Sequence, residues 1–342
     1  MVNRSTRSPQ GMSSPFETEV AALNRPWVDS PYFSDLIKKA GLTPEMEQLV
    51  RTFQRDGYVI FDPQLDDETV EAAARDMRQI PAEKLLFSDG TRLQDAWTMS
   101  DAIRRIAIAP KVMDVLKVLY QRQPYPFQTL SFRCGSQQKT HSDTIHFGSI
   151  PYGFMCGVWI ALEDIDDANG PLHYYPESQK LPVYDLLDIG VTAFTQAQAF
   201  EHYARYEQFV EGMMIREGLQ RAELHVKRGQ ALIWASNLFH GGTPIKDLAR
   251  SRLSQVTHYH FHGCMYFAPL LSDPGLGLLH VRKLVDITTG QPIPQFYNNI
   301  PVQNPGEWPP KLGLDRAQQA IMSDARRSSS VIRRAARFLL GR

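Results

Sequence analysis

The feature that most limits what this chain can fold into is a run of short strand-type segments in its middle. From Tyr125 onward, YPFQTLSFRC, QKTHSDTIHF, FMCGVWIALED and PLHYY follow one another, rich in aromatic and β-branched residues and separated by Gly, Pro and Asn. After an interruption, strand patterns resume at Ala222 to Val226, Ala231 to Trp234 and Leu253 to Phe261. Strands this short pair with one another only as an antiparallel system, so a mainly β core built from both halves is expected.

Ahead of that core the periodicity is helical. Thr43 caps TPEMEQLVRTFQRDG, whose Met46, Leu49, Val50 and Phe53 share a face, and Gly57 ends it before the strand Tyr58 to Phe61. Asp66 or Asp67 can cap a second helix through ETVEAAARDMRQI, and further helices are expected at Ala102 to Ile108 and Lys111 to Tyr120. The front third therefore reads as a helical layer. Between about 184 and 219 the alternation is lost, with a helix expected around Thr195 to Met214, and we read this as an insertion. Pro269 to Leu314 is rich in Pro and Gly and is expected to wrap the outside. Residues 1–25 are expected to be disordered. Residues 316–342 form a basic helix or tail, with Ile332, Ala336, Leu339 and Leu340 on one face and Arg333, Arg334 and Arg337 opposite. That face suits docking on its own domain, with weak contact to a membrane surface as the second use. The expectation is a single domain over 26–315.

Composition excludes several partner classes. Of 342 residues, 37 are basic and 37 acidic, so no global field favours nucleic acid. Cys134, Cys156 and Cys264 are odd in number and lack CxxC spacing, which suits buried apolar positions in a reducing, cytoplasmic compartment. No apolar run reaches the length of a membrane span, and no signal peptide is visible at the start.

The chemistry gathers in two places. His141-x-Asp143 puts an imidazole and a carboxylate two residues apart, able to point the same way from an extended segment. Such a pair is common by chance, so its context decides. About a hundred residues on stand His240 before a Gly-Gly turn and Arg252-x-Ser254 opening another strand. Two His and one carboxylate on one face of an octahedral ion leave adjacent positions open, the facial arrangement of non-haem Fe(II) oxygenases, whereas a structural zinc site is closed by four ligands. A buried Arg252 can hold the far carboxylate of a dicarboxylic co-substrate in a two-pronged pair, with the Ser254 hydroxyl beside it. Arg250 is the competing candidate, but it lies in the charged turn KDLARSR, where a solvated Arg is expected. His146 is a rival ligand or a substrate contact. His173, His258, His260 and His262 are expected as hydrogen-bonded core or pocket-lining residues, and Gln128 and Thr129 point either into the cavity or into sheet packing.

Together these motifs resemble the phytanoyl-CoA dioxygenase family of Fe(II)/2-oxoglutarate-dependent oxygenases. The resemblance covers most of the chain: DGYVIF, RLQDAW in the helical layer, PYPFQTLSF, HSDTIHF, CGVWIALEDIDDANGPLHYYP, and the HGG…RSRLSQVTHY ending. It implies a double-stranded β-helix (jelly-roll, cupin-like) core, iron held by His141, Asp143 and His240, and 2-oxoglutarate bound by Arg252. It also places near the co-substrate a Trp on the strand after HxD, which maps onto Trp159, and a basic residue before Gln94-Asp95, which maps onto Arg92. The chain departs from the family at Pro176 to Gln179, where PESQ replaces the usual PGSH, in what is expected to be a surface turn. The reaction implied takes O2 and 2-oxoglutarate, releases succinate and CO2, and oxidises an unactivated C–H bond. With Asp143 as a carboxylate ligand, hydroxylation or a related oxidation is expected in place of halogenation. The substrate is expected to be a small molecule of natural-product, lipid, sugar-linked or amino-acid type. A non-redox cupin-like isomerase or binding protein is the alternative, against which Arg252-x-Ser254 speaks. A catalytically dead scaffold is opposed by the intact ligand set.

Overall fold

The computed structural model describes residues 24–81, 83, 92–191, 199–306 and 313. The basic segment 316–342, and all of the first 25 residues except Asn24 and Arg25, lie outside that set. In chain order the helices are α1 (Phe33–Lys39), α2 (Pro44–Asp56), α3 (Asp67–Gln79), α4 (Asp101–Ala107), α5 (Pro110–Tyr120) and α6 (Ala199–Glu217). The strands that build the molecule are β1 (Tyr58–Phe61), β2 (Arg92–Gln94), β3 (Pro124–Phe132), β4 (Gly148–Ile150), β5 (Met155–Ala161), β6 (Leu172–Tyr174), β7 (Ala222–Glu223), β8 (Ala231–Ala235), β9 (His240–Gly242), β10 (Ser254–Phe261) and β11 (Met265–Phe267).

Local chemistry sets the helix ends. The Thr43 hydroxyl accepts from Met46 N at 3.3 Å, Pro44 occupies the first turn, and Gly57 at φ 80° stops α2 where only a residue without Cβ is unstrained. Asp66 caps α3 by accepting from Thr69 N at 2.7 Å, and Ser100 caps α4 by accepting from Ile103 N at 3.2 Å.

Six strands pair antiparallel in the order β1-β8-β5-β10-β3-β2, and a smaller sheet, β7-β6-β9, faces them. Alternation divides the large sheet into two faces. Outward, Cys156, Val158, Ile160, Ala231 and Ile233 pack with Ile103, Val112 and Leu116 from the helices. Inward, Trp159, Ala161, Leu232, Trp234 and Val256 pack with Leu172, Tyr174 and Leu224 of the opposing side. Gly157 allows the closest of these contacts, because a Cβ there would stand 2.2 Å from Cζ2 of the Trp234 indole. Between His258 and Tyr259 the register of β10 on β3 shifts by one residue, and the extra residue, Phe127, stacks on His260 with centroids 4.4 Å apart.

Four expectations change. RLQDAW does not sit in the helical layer: Arg92–Gln94 is the edge strand of the large sheet, paired with β3. HSDTIHF is not a strand, since Asp143–Ile145 is one turn of 3-10 helix and His141 makes only an isolated bridge. Residues after Pro269 do not merely wrap the outside, because Leu270, Leu271, His280 and Arg282 line the central cavity. Nor is Pro176 to Gln179 only a surface turn, although Glu177 is exposed there. Ser178 is fully buried and accepts from Phe239 N at 2.9 Å, while Gln179 donates to Arg55 O at 3.2 Å at the end of α2. No described helix is long and apolar enough to cross a membrane. None of the three cysteines is in a disulfide.

Candidate functional site

His141 and His240 come together through the backbone before their side chains are considered. Each donates its N–H to the other's carbonyl at 2.9 Å, so the two stand opposite one another as a hydrogen-bonded antiparallel pair. Their rings lie 4.6 Å apart between centroids. Asp143 follows two residues beyond the bridged His141, where the Ser142 hydroxyl holds the turn by accepting from Thr144 N at 3.2 Å. One ligand-type atom from each of His141, Asp143 and His240 lies within 4.8 Å of the others, and all three residues are buried.

Hydrogen bonds fix which atoms face the centre. His141 Nδ1 donates to Lys139 O at 2.9 Å and His240 Nδ1 donates to Leu238 O at 3.0 Å, which leaves Nε2 of each ring with its lone pair. Trp234 Nε1 donates to Asp143 Oδ2 at 2.7 Å, leaving Oδ1 on the His240 side, 4.0 Å from Nε2. Burial holds His141 down to about 4, with the neighbouring His240 adding to the effect, and burial alone brings His240 to about 4. Both rings are therefore neutral near pH 7, the state in which imidazole ligates a metal. Two such nitrogens and a carboxylate oxygen fit a divalent cation of the iron type with positions left open.

A cavity of about 1010 Å³ opens on this group. His141, Asp143, His240, Arg252, Trp159, Gln128 and Arg92 all line it. Arg252 is 2% exposed, and its Nε has no hydrogen-bond partner. Its guanidinium lies 5.4 Å from the Phe132 ring centroid and 5.8 Å from that of Trp159, and among the described residues it forms no ion pair. Burial lowers its pKa to about 10, so it stays charged at neutral pH. A buried cation without a protein anion fits the distal carboxylate of a dicarboxylic acid. Ser254 is fully buried with an unpartnered hydroxyl, but it does not line the cavity. Arg250, by contrast, pairs with Asp166 at 2.8 Å on the surface.

Several residues take roles that the motifs did not give them. His146 lines the cavity and packs against Tyr203 of α6 at 4.7 Å, yet it does not join the ligand group. Gln128 Oε1 accepts from His258 Nδ1 at 3.0 Å, and His258 Nε2 stands 3.8 Å from Asp143 Oδ2. His173 is hydrogen-bonded to Thr140 at 2.8 Å, His260 is a core residue, and His262 is exposed beside Tyr125. Trp234, Tyr203 and Arg282 were missed as site residues. For Trp234 a signal existed: alternation along β8 puts it on the same face as Leu232, toward the ligands. Tyr203 comes from the insertion and Arg282 from the Pro- and Gly-rich segment, where no period points a side chain anywhere.

Comparison with known proteins agrees with this geometry. A family model described as phytanoyl-CoA dioxygenase (PhyH) matches residues 53–252. Phytanoyl-CoA dioxygenase domain-containing protein 1 of Danio rerio is 29% identical over 103 residues, which are 29% of this chain and 34% of the relative. The match thus spans about a third of that relative's length. Among solved structures, the non-heme alpha ketoglutarate dependent epimerase SnoN of nogalamycin biosynthesis is similar with a TM-score of 0.51 and 22% identity, over 73% of this chain and 93% of that one. The carbocyclase SnoK of the same pathway gives 0.50 and 14%, over 66% and 87%. At such identities the likeness is one of fold, a double-stranded β-helix core, which in this chain does not close into a barrel.

Proposed function

The chain belongs to the phytanoyl-CoA dioxygenase family, and on that premise we propose that it is an Fe(II)- and 2-oxoglutarate-dependent oxygenase acting on an unactivated C–H bond of a small molecule, with release of succinate and CO2. The observation that carries this reading is Arg252, a buried guanidinium that forms no ion pair among the described residues, in the same cavity as the His141, Asp143 and His240 ligand atoms. A non-redox metal site of cupin type has no use for such a cation.

In this reading His141 Nε2, His240 Nε2 and an Asp143 oxygen hold iron, while Arg252 holds the far carboxylate of 2-oxoglutarate. Iron, when bound with 2-oxoglutarate and O2, supplies the oxidising power that no amino-acid side chain has. The protein's part is placement. The Lys139 and Leu238 carbonyls keep both rings in the ligating tautomer, and Trp234 orients the carboxylate. Trp159 and Phe132 wall the Arg252 guanidinium from water. Gln128 steadies His258 beside Asp143, and Arg92 adds positive charge to the co-substrate side. Ser254, two residues on, keeps a buried hydroxyl without a partner among the described residues. The unit is a single domain over 26–315 whose insertion, through Phe200 and Tyr203 of α6, forms part of the substrate wall.

SnoN is an epimerase and SnoK a carbocyclase, so a shared fold leaves the outcome to the individual site. Here the third ligand is a carboxylate, which favours hydroxylation or a related oxidation over halogenation. The test is incubation of the full chain with Fe(II), 2-oxoglutarate, O2 and a panel of small molecules in chloride buffer, followed by succinate and product mass. Succinate coupled to a gain of one oxygen, or a loss of two hydrogens, is expected. A halogenated main product, or no succinate with any panel member, would sink the reading.

A further inference from the structure

The cavity is unevenly charged. Among the described residues that line it, Asp143 is the one carboxylate, while Arg252 and Arg282 both bring a guanidinium. Under the oxygenase reading, a divalent ion and Arg252 together balance Asp143 and the two carboxylates of the co-substrate. The charge of Arg282 is left over, and a largely buried excess of one sign is unfavourable until an anion meets it.

Arg282 is placed to receive that anion. Its backbone is tied down by N–H donation to Tyr266 O at 2.8 Å, which fixes where the side chain starts. The guanidinium is half-buried over two rings, 5.2 Å from the Phe147 centroid and 5.6 Å from that of Phe127. The rings accept none of its N–H groups as a carboxylate or phosphate would, so a two-pronged partner can still be met there. Among the described residues it has no ion pair. Asp95 is the acid that acts on it electrostatically, but Asp95 is already engaged, accepting from Thr129 N at 3.1 Å and lying 3.3 Å from the Gln94 amide. The ring beneath Arg282 reaches the ligand group. Phe147 packs on His258 with centroids 4.7 Å apart, and His258 Nε2 is 3.8 Å from Asp143 Oδ2. A molecule held at Arg282 therefore lies one ring layer from the ligands. Leu270, Leu271 and Phe200 give the same space an apolar wall.

We propose that Arg282 is the specificity residue of this site and that the substrate carries a carboxylate or phosphate on an apolar body, an inference that rests on the oxygenase reading for the identity of the site. Octanoate, octyl phosphate and octanamide share one chain and differ in the head group, and serve as probes. Their binding is measured by anaerobic titration calorimetry on the full chain loaded with Fe(II) and saturating 2-oxoglutarate. At least one of the two anions should bind about tenfold or more tightly than octanamide, and the better one identifies the head group. Arg282→Gln should abolish the preference, Arg282→Lys should keep part of it, and 2-oxoglutarate affinity should stay within about twofold in both. Equal binding of all three probes, no binding of either anion, or a preference that survives in folded Arg282→Gln would overturn the proposal. Failure of the unmodified chain to bind 2-oxoglutarate would refute the oxygenase reading instead. The same titrations without co-substrate would then still read the anion preference.

Discussion

The two faces of the six-stranded sheet are made by the same strands and do opposite work. Along β10, Gln255, Tyr259 and Phe261 turn outward, where Gln255 donates to Ile103 O at 3.0 Å and Tyr259 to Ala107 O at 2.7 Å on α4. Polar atoms there reach into the helical layer, and the rest of that face is apolar packing. Val256 and His258 of the same strand turn inward, following Arg252 just ahead of it, and that face keeps Arg252 Nε and Trp159 Nε1 without any protein partner. The outward face also leaves buried oxygens unpartnered, on Thr129, Ser131 and Gln255, but all three are neutral. The inward face instead leaves a charge, Arg252, without an ion pair among the described residues, in the same cavity as the His141, Asp143 and His240 group, which is what a binding site looks like in electrostatic terms.

The sharpest way to break this contrast is to remove a ligand. In His240→Ala, turnover and tight iron binding should disappear, while thermal unfolding shifts by only a few degrees, because the ring belongs to the inward face. Ile233→Ala, on the outward face and fully buried, should do the reverse, costing about 2–5 kcal/mol of stability with iron binding kept in the folded fraction. Iron content, succinate formation and melting curves read both. Full activity in His240→Ala would remove the ligand assignment.

How much of this was legible beforehand follows the same division. Helix caps at Thr43 and Asp66, the strand Tyr58 to Phe61 and the His141-x-Asp143 pair could be read because each depends on local chemistry or on a short spacing, whereas the placing of His240 beside that pair is made by the fold. The β2 strand at Arg92 to Gln94 could not, since three residues carry no measurable period and only the partner β3 makes them a strand. Asp143 sits on a 3-10 turn for a similar reason: its direction is set by a bridge to His240, about a hundred residues away in sequence. Ser178 and Gln179 looked like surface because the turn is polar, yet they fill the junction between α2 and the approach to His240.

Arg252 and Arg250 divide the inward and outward environments within three residues. Arg252→Ala should raise the 2-oxoglutarate requirement by an amount equivalent to about 2–5 kcal/mol, because a buried carboxylate loses its partner. Arg250→Ala removes only a surface pair with Asp166 and should change stability by less than about 1 kcal/mol. Co-substrate titration of the two variants decides. A larger effect from Arg250 would mean that the strand register is misplaced by two residues.

Acid should find the inward face first. Burial holds His141, His240 and His258 down to about 4 and His146 and His260 to about 3, against an ordinary value of 6.5. The unfolded chain therefore takes up protons that the folded chain refuses. Stability is full above about pH 6.5, falls as the pH drops toward 3 to 4, and levels off below the folded values, with each such His costing at most about 3–5 kcal/mol. Melting temperatures of the metal-free protein should fall from pH 7.5 to pH 5, and at least as steeply with Fe(II) bound under anaerobic conditions, because a bound ion keeps its His ligands from taking up protons in the folded state. A flat profile would mean that these rings are not buried neutral.

The smallest effect tests how the two faces are joined. Gly157 on β5 leaves room for the Trp234 indole to lie against the strand, and the indole N–H in turn donates to Asp143 at 2.7 Å. Trp234→Phe keeps most of the packing and deletes only the donor, so the carboxylate loses its orientation but not its surroundings. Metal affinity should fall about 10–100-fold, the usual cost of losing a hydrogen bond to a ligand, with the fold intact. Gly157→Ala perturbs the same bond from the other side, since its methyl would overlap Cζ2 and Cε2 of the indole at 2.2 and 2.3 Å and push it away. If the bond matters through position, Gly157→Ala should show the metal loss of Trp234→Phe together with a stability loss that Trp234→Phe lacks. The double variant should then lose no more affinity than the worse single one. Additive losses in iron titrations would mean that Trp234 acts on Asp143 by some route other than the indole N–H, and the link between packing and ligand geometry would fall.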